Sequence, residues 1–161
     1  MADTLDAIDR AILVILQRDG RISNTDLAQQ VGLAPPTVLR RVKLLEERGV
    51  IRGYTALVDP LAVDLAVTAF ILVETVAGCD LDQTIADLCG LAGVQEVQRL
   101  IGEWCILLKV RTKSPQTLED LLYRTLRRHP GIRRTQTILA TSAALETTML
   151  PLPAMEPAQP T

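Results

Sequence analysis

Apolar residues recur through the first fifty positions at the spacing of helix faces. Leu5, Ile8, Ile12 and Ile15 lie three or four apart and so form one stripe of a helix that Asp19-Gly20 ends. Ser23 stands before Asn24-Thr25-Asp26, a capping hydroxyl with an acid three residues on, and predicts a short helix over 24–30. That helix carries Leu27 and Ala28 and stops at Val31-Gly32, and Leu33 and Ala34 turn the chain. A third helix over 35–48 opens with Pro35, whose missing N–H would have had no partner in the first turn, and Gly49 closes it. Val38, Val42 and Leu45 face inward along it. Val50 to Val58 reads as a short strand bounded by Asp59-Pro60.

The second half changes period. Val67 to Val76 is β-rich, and Asp80 starts a helix with Leu81, Ile85 and Leu88 on one side. Val94–Ile101 and Trp104–Thr112 are two strands on either side of Gly102-Glu103, read as a tight connection. Ser114-Pro115 starts a helix whose buried stripe is Leu118, Leu121, Leu122 and Leu126. His129-Pro130-Gly131 stops it, and Ile132–Thr141 is a last strand. The order βαββαβ is the split-βαβ, ferredoxin-like arrangement, here of the dimeric α/β barrel type. Along Val67–Val76 neither face is polar, since Ala69, Ile71 and Val73 alternate with Phe70 and Leu72. Helices cover one set, and a second copy of the same sheet is the economical cover for the other, which predicts a two-fold dimer.

Net charge is −2, so the chain as a whole does not attract nucleic acid. The local distribution differs. Between Pro35 and Gly53, Arg40, Arg41, Lys43, Arg48 and Arg52 stand against Glu46 and Glu47 only. A short helix, a turn with Gly32 and a second helix with a basic outer face make the helix-turn-helix plan. Pro36, Thr37, Arg40, Lys43 and Glu47 lie opposite the apolar stripe of the second helix. Arg40 is the candidate for reading base edges, with Pro36 and Thr37 near it, and Arg41, Lys43 and Arg52 are candidates for holding phosphates. The alternative is a solvated face of a small helical domain. The expected fold is thus α+β: an N-terminal winged helix-turn-helix over 1–60, a ferredoxin-like domain over 61–148, and a Pro-rich extended tail over 149–161 with Pro151, Pro153, Pro157 and Pro160.

Composition narrows the function classes. Apolar residues make up 48% and aromatics 2%, so the cores are aliphatic. No apolar run spans a bilayer, and the N-terminus lacks a signal peptide's basic start and apolar centre; a cytoplasmic protein is expected, with no membrane partner. Cys79, Cys89 and Cys105 have no CxxC spacing and the chain has a single histidine, so free thiols and no metal are expected. His129, after Arg127-Arg128 at a helix end, suits the macrodipole there. No triad, carboxylate pair or phosphate loop appears, so neither a catalytic residue nor a cofactor is expected.

Several segments together resemble the Lrp/AsnC (feast/famine) family of regulators. They are Leu5-Asp6-Ala7-Ile8-Asp9-Arg10-Ala11-Ile12-Leu13, Asp19-Gly20-Arg21, Leu27-Ala28 through Val31-Gly32-Leu33, Val38-Leu39-Arg40-Arg41-Val42, Leu45-Glu46 and Gly49-Val50-Ile51. The likeness continues to about Leu150. It implies a transcription regulator that binds partly palindromic double-stranded DNA as a homodimer. It also implies dimers joined into larger discs such as octamers, and an amino-acid effector bound between C-terminal domains. Two positions depart from the family pattern. Ala34 stands where a serine commonly precedes the recognition-helix proline. Gly102-Glu103-Trp104-Cys105 stands where Gly-Asp-aromatic-Asp is common, so Cys105 replaces a carboxylate that would meet an effector's ammonium. Gly102, Glu103, Trp104 and Cys105, with the hydroxyls of Thr135 and Thr137, are the candidate effector site. An amino acid, another small molecule and no effector at all remain open. The rival classes are an architectural DNA-binding protein without an effector, and an enzyme like the haem-pathway decarboxylases that share this architecture.

Overall fold

The computed structural model describes residues 5–152, which divide into two compact units. One runs to Leu57 and takes in the segment from Glu146; the other is Val58–Leu145.

The first unit holds three helices, α1 (Ala7–Arg18), α2 (Asn24–Val31) and α3 (Pro35–Glu47). A capping box starts α1: the Asp6 carboxylate accepts the Asp9 N–H, and Asp9 accepts the Asp6 N–H. The predicted cap of α2 is present, with Ser23 Oγ accepting the Asp26 N–H at 3.1 Å. Gly32 ends α2 at φ +69°, a left-handed conformation that glycine adopts without a Cβ penalty, and this sets the turn into α3. Ala34 supplies no side-chain cap to α3, and Pro35 and Pro36 occupy its first turn. Ile12, Leu27, Ala28, Val38 and Leu45 are buried among the three helices, each contributing about 1–3 kcal/mol of apolar burial as far as its size allows.

Two features of this unit were not expected. The run Val50–Val58, read as a strand, has no ladder partner within the described residues. Tyr54 from this run lies against Gly20, where a Cβ would come within 3.2 Å of the ring, and its hydroxyl donates to Glu46 at 3.0 Å. The start of the expected extended tail instead packs on α1. Gln17 Oε1 accepts the Leu150 N–H at 2.6 Å, Gln17 Nε2 donates to the Leu150 carbonyl at 3.3 Å, and Leu152 joins the helical core. The rest of that tail, with Pro153, Pro157 and Pro160, lies outside the described residues.

The second unit contains β1 (Val67–Thr75), α4 (Leu81–Cys89), β2 (Val94–Arg99), β3 (Ile106–Thr112), α5 (Pro115–Asp120) and β4 (Ile132–Ala140). The strands form one antiparallel sheet in the order β2-β3-β1-β4. Ala69, Ile71 and Val73 of β1 and Ile106, Leu108 and Val110 of β3 are buried with Leu88, Leu118 and Leu126. Phe70, Leu72, Leu107 and Ile138 lie on the opposite face by the alternation and register of the strands, and none of them is fully buried.

The helical path from Pro115 does not keep one geometry. It widens into a π turn over Leu121–Thr125 and closes in a 3-10 turn over Leu126–Arg128. Eight residues of regular α-helix overshoot two turns by about 80°, so Leu118 and Leu126 would face apart. The wider turn takes up that surplus and lets both reach the sheet. His129 ties α4 to the start of β4, with Nε2 at 3.1 Å from Asp87 and Nδ1 accepting the Gly131 N–H at 3.1 Å.

Candidate nucleic-acid interface and effector site

Helix α3 has one buried and one outward face, set by the 3.6-residue period. Val38, Val42 and Leu45 are buried, while Pro36, Arg40, Lys43 and Glu47 are exposed and Thr37 is half-buried. Neither Arg40 nor Lys43 takes part in an ion pair among the described residues. Arg52, beyond the end of α3, is exposed too. The outward face also carries Leu39, 40% exposed, which hydropathy alone assigns to a core. Its position three residues after Pro36 and next to Arg40 was the available signal. A small cleft of about 130 Å³ runs beside Arg40, Arg41 and Arg48 toward Asp9.

Arg41 occupies a different position from Arg40 and Lys43. Its Nη1 donates to Asp6 Oδ2 and to Asp9 Oδ1, both at 2.7 Å, and its side chain is 24% exposed. The N–H of Asp9 and the Arg41 guanidinium together hold the Asp6 carboxyl below the usual carboxylate value. The same two carboxylates raise the pKa of Arg41. Arg41 thus clamps α3 to the start of α1, and its guanidinium is directed inward.

In the second unit, the predicted effector residues divide among three places. β2 ends at Arg99 and β3 begins at Ile106, so the connection is longer than a tight turn and is bridged by the Leu100 N–H donating to the Cys105 carbonyl at 2.8 Å. Gly102 sits in it at φ +142°, a conformation that favours glycine. Glu103 pairs with Arg134, whose guanidinium lies 4.5 Å from the centre of the Trp104 ring and also pairs with Glu74. Arg133 pairs with Glu74 as well, and the Arg134 contact chiefly holds the Glu74 carboxyl below its ordinary value. Thr135 is paired with Val73 and Thr137 with Ile71, both of the helix-covered set. They therefore project from the side of β4 opposite to Arg134, and the structure does not bring them to Glu103 and Trp104 within one chain.

Cys105 belongs to a third feature. A cleft of about 600 Å³ at the end of β1 is lined by Glu74, Thr75, Cys79, Leu81, Cys105 and Arg133, with the turn between. Sequence reasoning missed Glu74, Thr75 and Cys79, because their proximity to Cys105 depends on the pairing of β1 with β3. Among the described residues, no three His, Cys, Asp or Glu side chains gather as metal ligands do, and no helix is long and apolar enough to cross a membrane.

The likeness to known proteins covers both units. The family described as winged helix-turn-helix DNA-binding matches residues 5–52, and that of the Lrp/AsnC ligand binding domain matches residues 68–150. The chain is 36% identical over 152 residues to the HTH-type transcriptional regulator FL11 of Pyrococcus abyssi, covering 94% of this chain and 99% of the relative. It is 41% identical over 135 residues to the leucine-responsive regulatory protein of Salmonella typhimurium, covering 83% and 82%. A solved transcriptional regulator of Neisseria meningitidis, in complex with L-methionine, superposes with a TM-score of 0.88 at 34% identity, over 92% of this chain and 97% of that one. With its helix-turn-helix unit and its antiparallel α+β unit, the chain belongs to the Lrp/AsnC family of transcriptional regulators.

Proposed function

We propose that this regulator reads double-stranded DNA with the outward face of α3 and does so as a homodimer on a partly palindromic site. The observation that carries the reading is the pair Arg40 and Lys43, exposed one turn apart on the recognition helix and outside any ion pair among the described residues. Arg40 and Thr37 reach base edges, Leu39 offers an apolar contact for a thymine methyl, and Lys43 and Arg52 meet phosphates. Arg41 acts behind them by fixing the angle of α3. The incompletely buried Phe70, Leu72, Leu107 and Ile138 support pairing of two sheets in the dimer, and dimers join into a higher oligomer. The protein works in the cytoplasm, where its DNA is, and has no catalytic role.

The effector is an amino acid held near Gly102–Cys105, the reading supported by the ligand-binding family and by the L-methionine complex of the Neisseria relative. Glu103 is the carboxylate that meets the ammonium. Thr135 and Thr137, turned to the other side of β4, contribute from a neighbouring copy.

Fluorescence anisotropy across a salt titration tests the DNA face. Arg40→Ala relaxes sequence choice, whereas Lys43→Ala weakens all DNA about equally and lowers the salt slope by about one. Parent-like binding by both variants removes the α3 assignment. A thermal-melt screen against the twenty amino acids tests the effector: a ligand at a hundred times its Kd adds about 2.7 kcal/mol. A flat screen removes the amino-acid effector and leaves a regulator of another signal or the architectural alternative.

A further inference from the structure

The cleft of about 600 Å³ at the end of β1 brings together two sulfur atoms, one of them at the end of the Gly102–Cys105 segment proposed for the effector, and neither has redox chemistry assigned to it by that reading. Both Cys105 and Cys79 line it, and both are half-buried free thiols. Cys105 is not packed by apolar groups alone, since its sulfur accepts a hydrogen bond. Thr75 Oγ1 donates a hydrogen bond to Cys105 Sγ at 3.3 Å. A hydroxyl donor directed at sulfur stabilises the thiolate over the thiol, and the contacts with Thr75 lower the pKa of Cys105 although burial and Glu74 oppose them. Cys79 follows Thr75 by four residues. It closes a turn in which its N–H donates to the Val76 carbonyl at 3.2 Å and Gly78 stands at φ +76°. Val76, Ala77 and Gly78 are exposed, and the turn is tied at its start by the Val76 N–H donating to the Gly131 carbonyl at 3.0 Å.

We propose that Cys105 and Cys79 form a peroxide-responsive thiol pair, in which Cys105 is oxidised first and Cys79 resolves it to an intramolecular disulfide across the cleft. The Cys105 thiolate attacks one oxygen of a hydroperoxide. The O–O bond breaks, sulfur is oxidised to a sulfenic acid, and the other oxygen leaves as hydroxide or alkoxide. The Cys79 thiolate then attacks the Cys105 sulfur, the S–S bond forms, and the sulfenic oxygen departs as hydroxide, which takes up the proton that Cys79 lost. The bond holds the Cα atoms of Cys79 and Cys105 within about 7 Å of each other across the cleft.

Cys89 provides an internal control. It is exposed at the last position of α4, whereas Cys105 and Cys79 are only half-buried, so oxidation governed by access alone would strike Cys89 first. The experiment uses the full chain, treated with stoichiometric hydrogen peroxide without amino acids or DNA, quenched by alkylation and mapped by peptide mass spectrometry. The expected result is a Cys79–Cys105 linked peptide with Cys89 still alkylated. Cys79→Ser should stop the reaction at a Cys105 sulfenic acid trappable with dimedone, and Cys105→Ser should leave Cys79 reduced. With iodoacetamide at pH 7, Cys105 should react about tenfold faster than Cys89, as a thiolate-rich site does. Preferential oxidation of Cys89, disulfides only between chains, or dimedone trapping of Cys105 in the parent protein with no linked peptide would each overturn the proposal. None of these outcomes depends on whether an effector binds.

Discussion

Arg41 of the recognition helix lies 2.7 Å from Asp9 of the first helix, a contact between residues far apart in sequence that sets how α3 is presented. Asp6 shares the same guanidinium nitrogen at the same distance. Asp9 is nearly buried and Arg41 three-quarters so, which places this pair above the level of a surface ion pair. Arg41→Ala should therefore destabilise the helical unit by about 1–2 kcal/mol. Amide exchange in α1 and α3 reads this directly. A double-mutant cycle with Asp9→Asn should show coupling, whereas additive effects would mean that Arg41 acts alone.

Acid should loosen this contact at one carboxyl in particular. The Asp9 N–H and Arg41 hold the Asp6 pKa below its ordinary value. A depressed folded-state pKa contributes stability that is fully present above the unfolded value, near that of a free Asp, and is lost as pH falls through the lower folded value. Asp6→Asn should flatten the acid limb of α1 exchange and leave the neutral region lower but level. An Asp6 carboxyl that titrates by NMR at or above the free-Asp position would contradict the assignment.

Ala34 begins α3 without a side-chain cap. A serine there has the extended backbone it needs, since Ala34 lies at φ −69° and ψ 141°. Ala34→Ser should stabilise the unit by about 1 kcal/mol, visible as a higher denaturant midpoint with unchanged slope.

Gly93 admits no side chain. It sits at φ +84°, and a Cβ would fall 2.6 Å from the Arg111 carbonyl oxygen, which is backbone and cannot turn aside. Gly93→Ala should cost at least about 2 kcal/mol from the left-handed conformation and the clash together. Gly90→Ala, where the closest contact is an ordinary 3.5 Å, is the matched control and should change stability little. Urea unfolding of the two variants decides the point.

Local chemistry made much of this architecture readable. Ser23, Gly32 and Pro35 mark the helix-turn-helix by residue type, and alternation divides β1 into two apolar sets, although which set the helices cover is settled only by the fold. Features that depend on distant partners were not readable. Arg41 and Arg40 are adjacent and chemically identical, yet one faces carboxylates more than thirty residues away and the other does not. Val50–Val58 has a strand's composition, but a strand is defined by its neighbour, and none of the described residues pairs with it. Thr135 and Thr137 have suitable chemistry for a polar ligand. Only the register of β4 against β1 reveals that they project away from Glu103.

The bonds between Gln17 and Leu150 have a topological consequence. Because residues near the end of the chain belong to the same unit as its beginning, the polypeptide passes between the two units twice, at Leu57–Val58 and again at Leu145–Glu146. A protease cut in the exposed stretch around Leu57 removes the covalent link on that side, and the helical half is then joined to the other fragment only by the contacts of the returning segment with α1. A cut near Glu146 instead leaves the covalent link at Leu57–Val58 intact, so the two crossings are not equivalent: one break leaves the halves covalently joined and the other leaves them joined by packing alone.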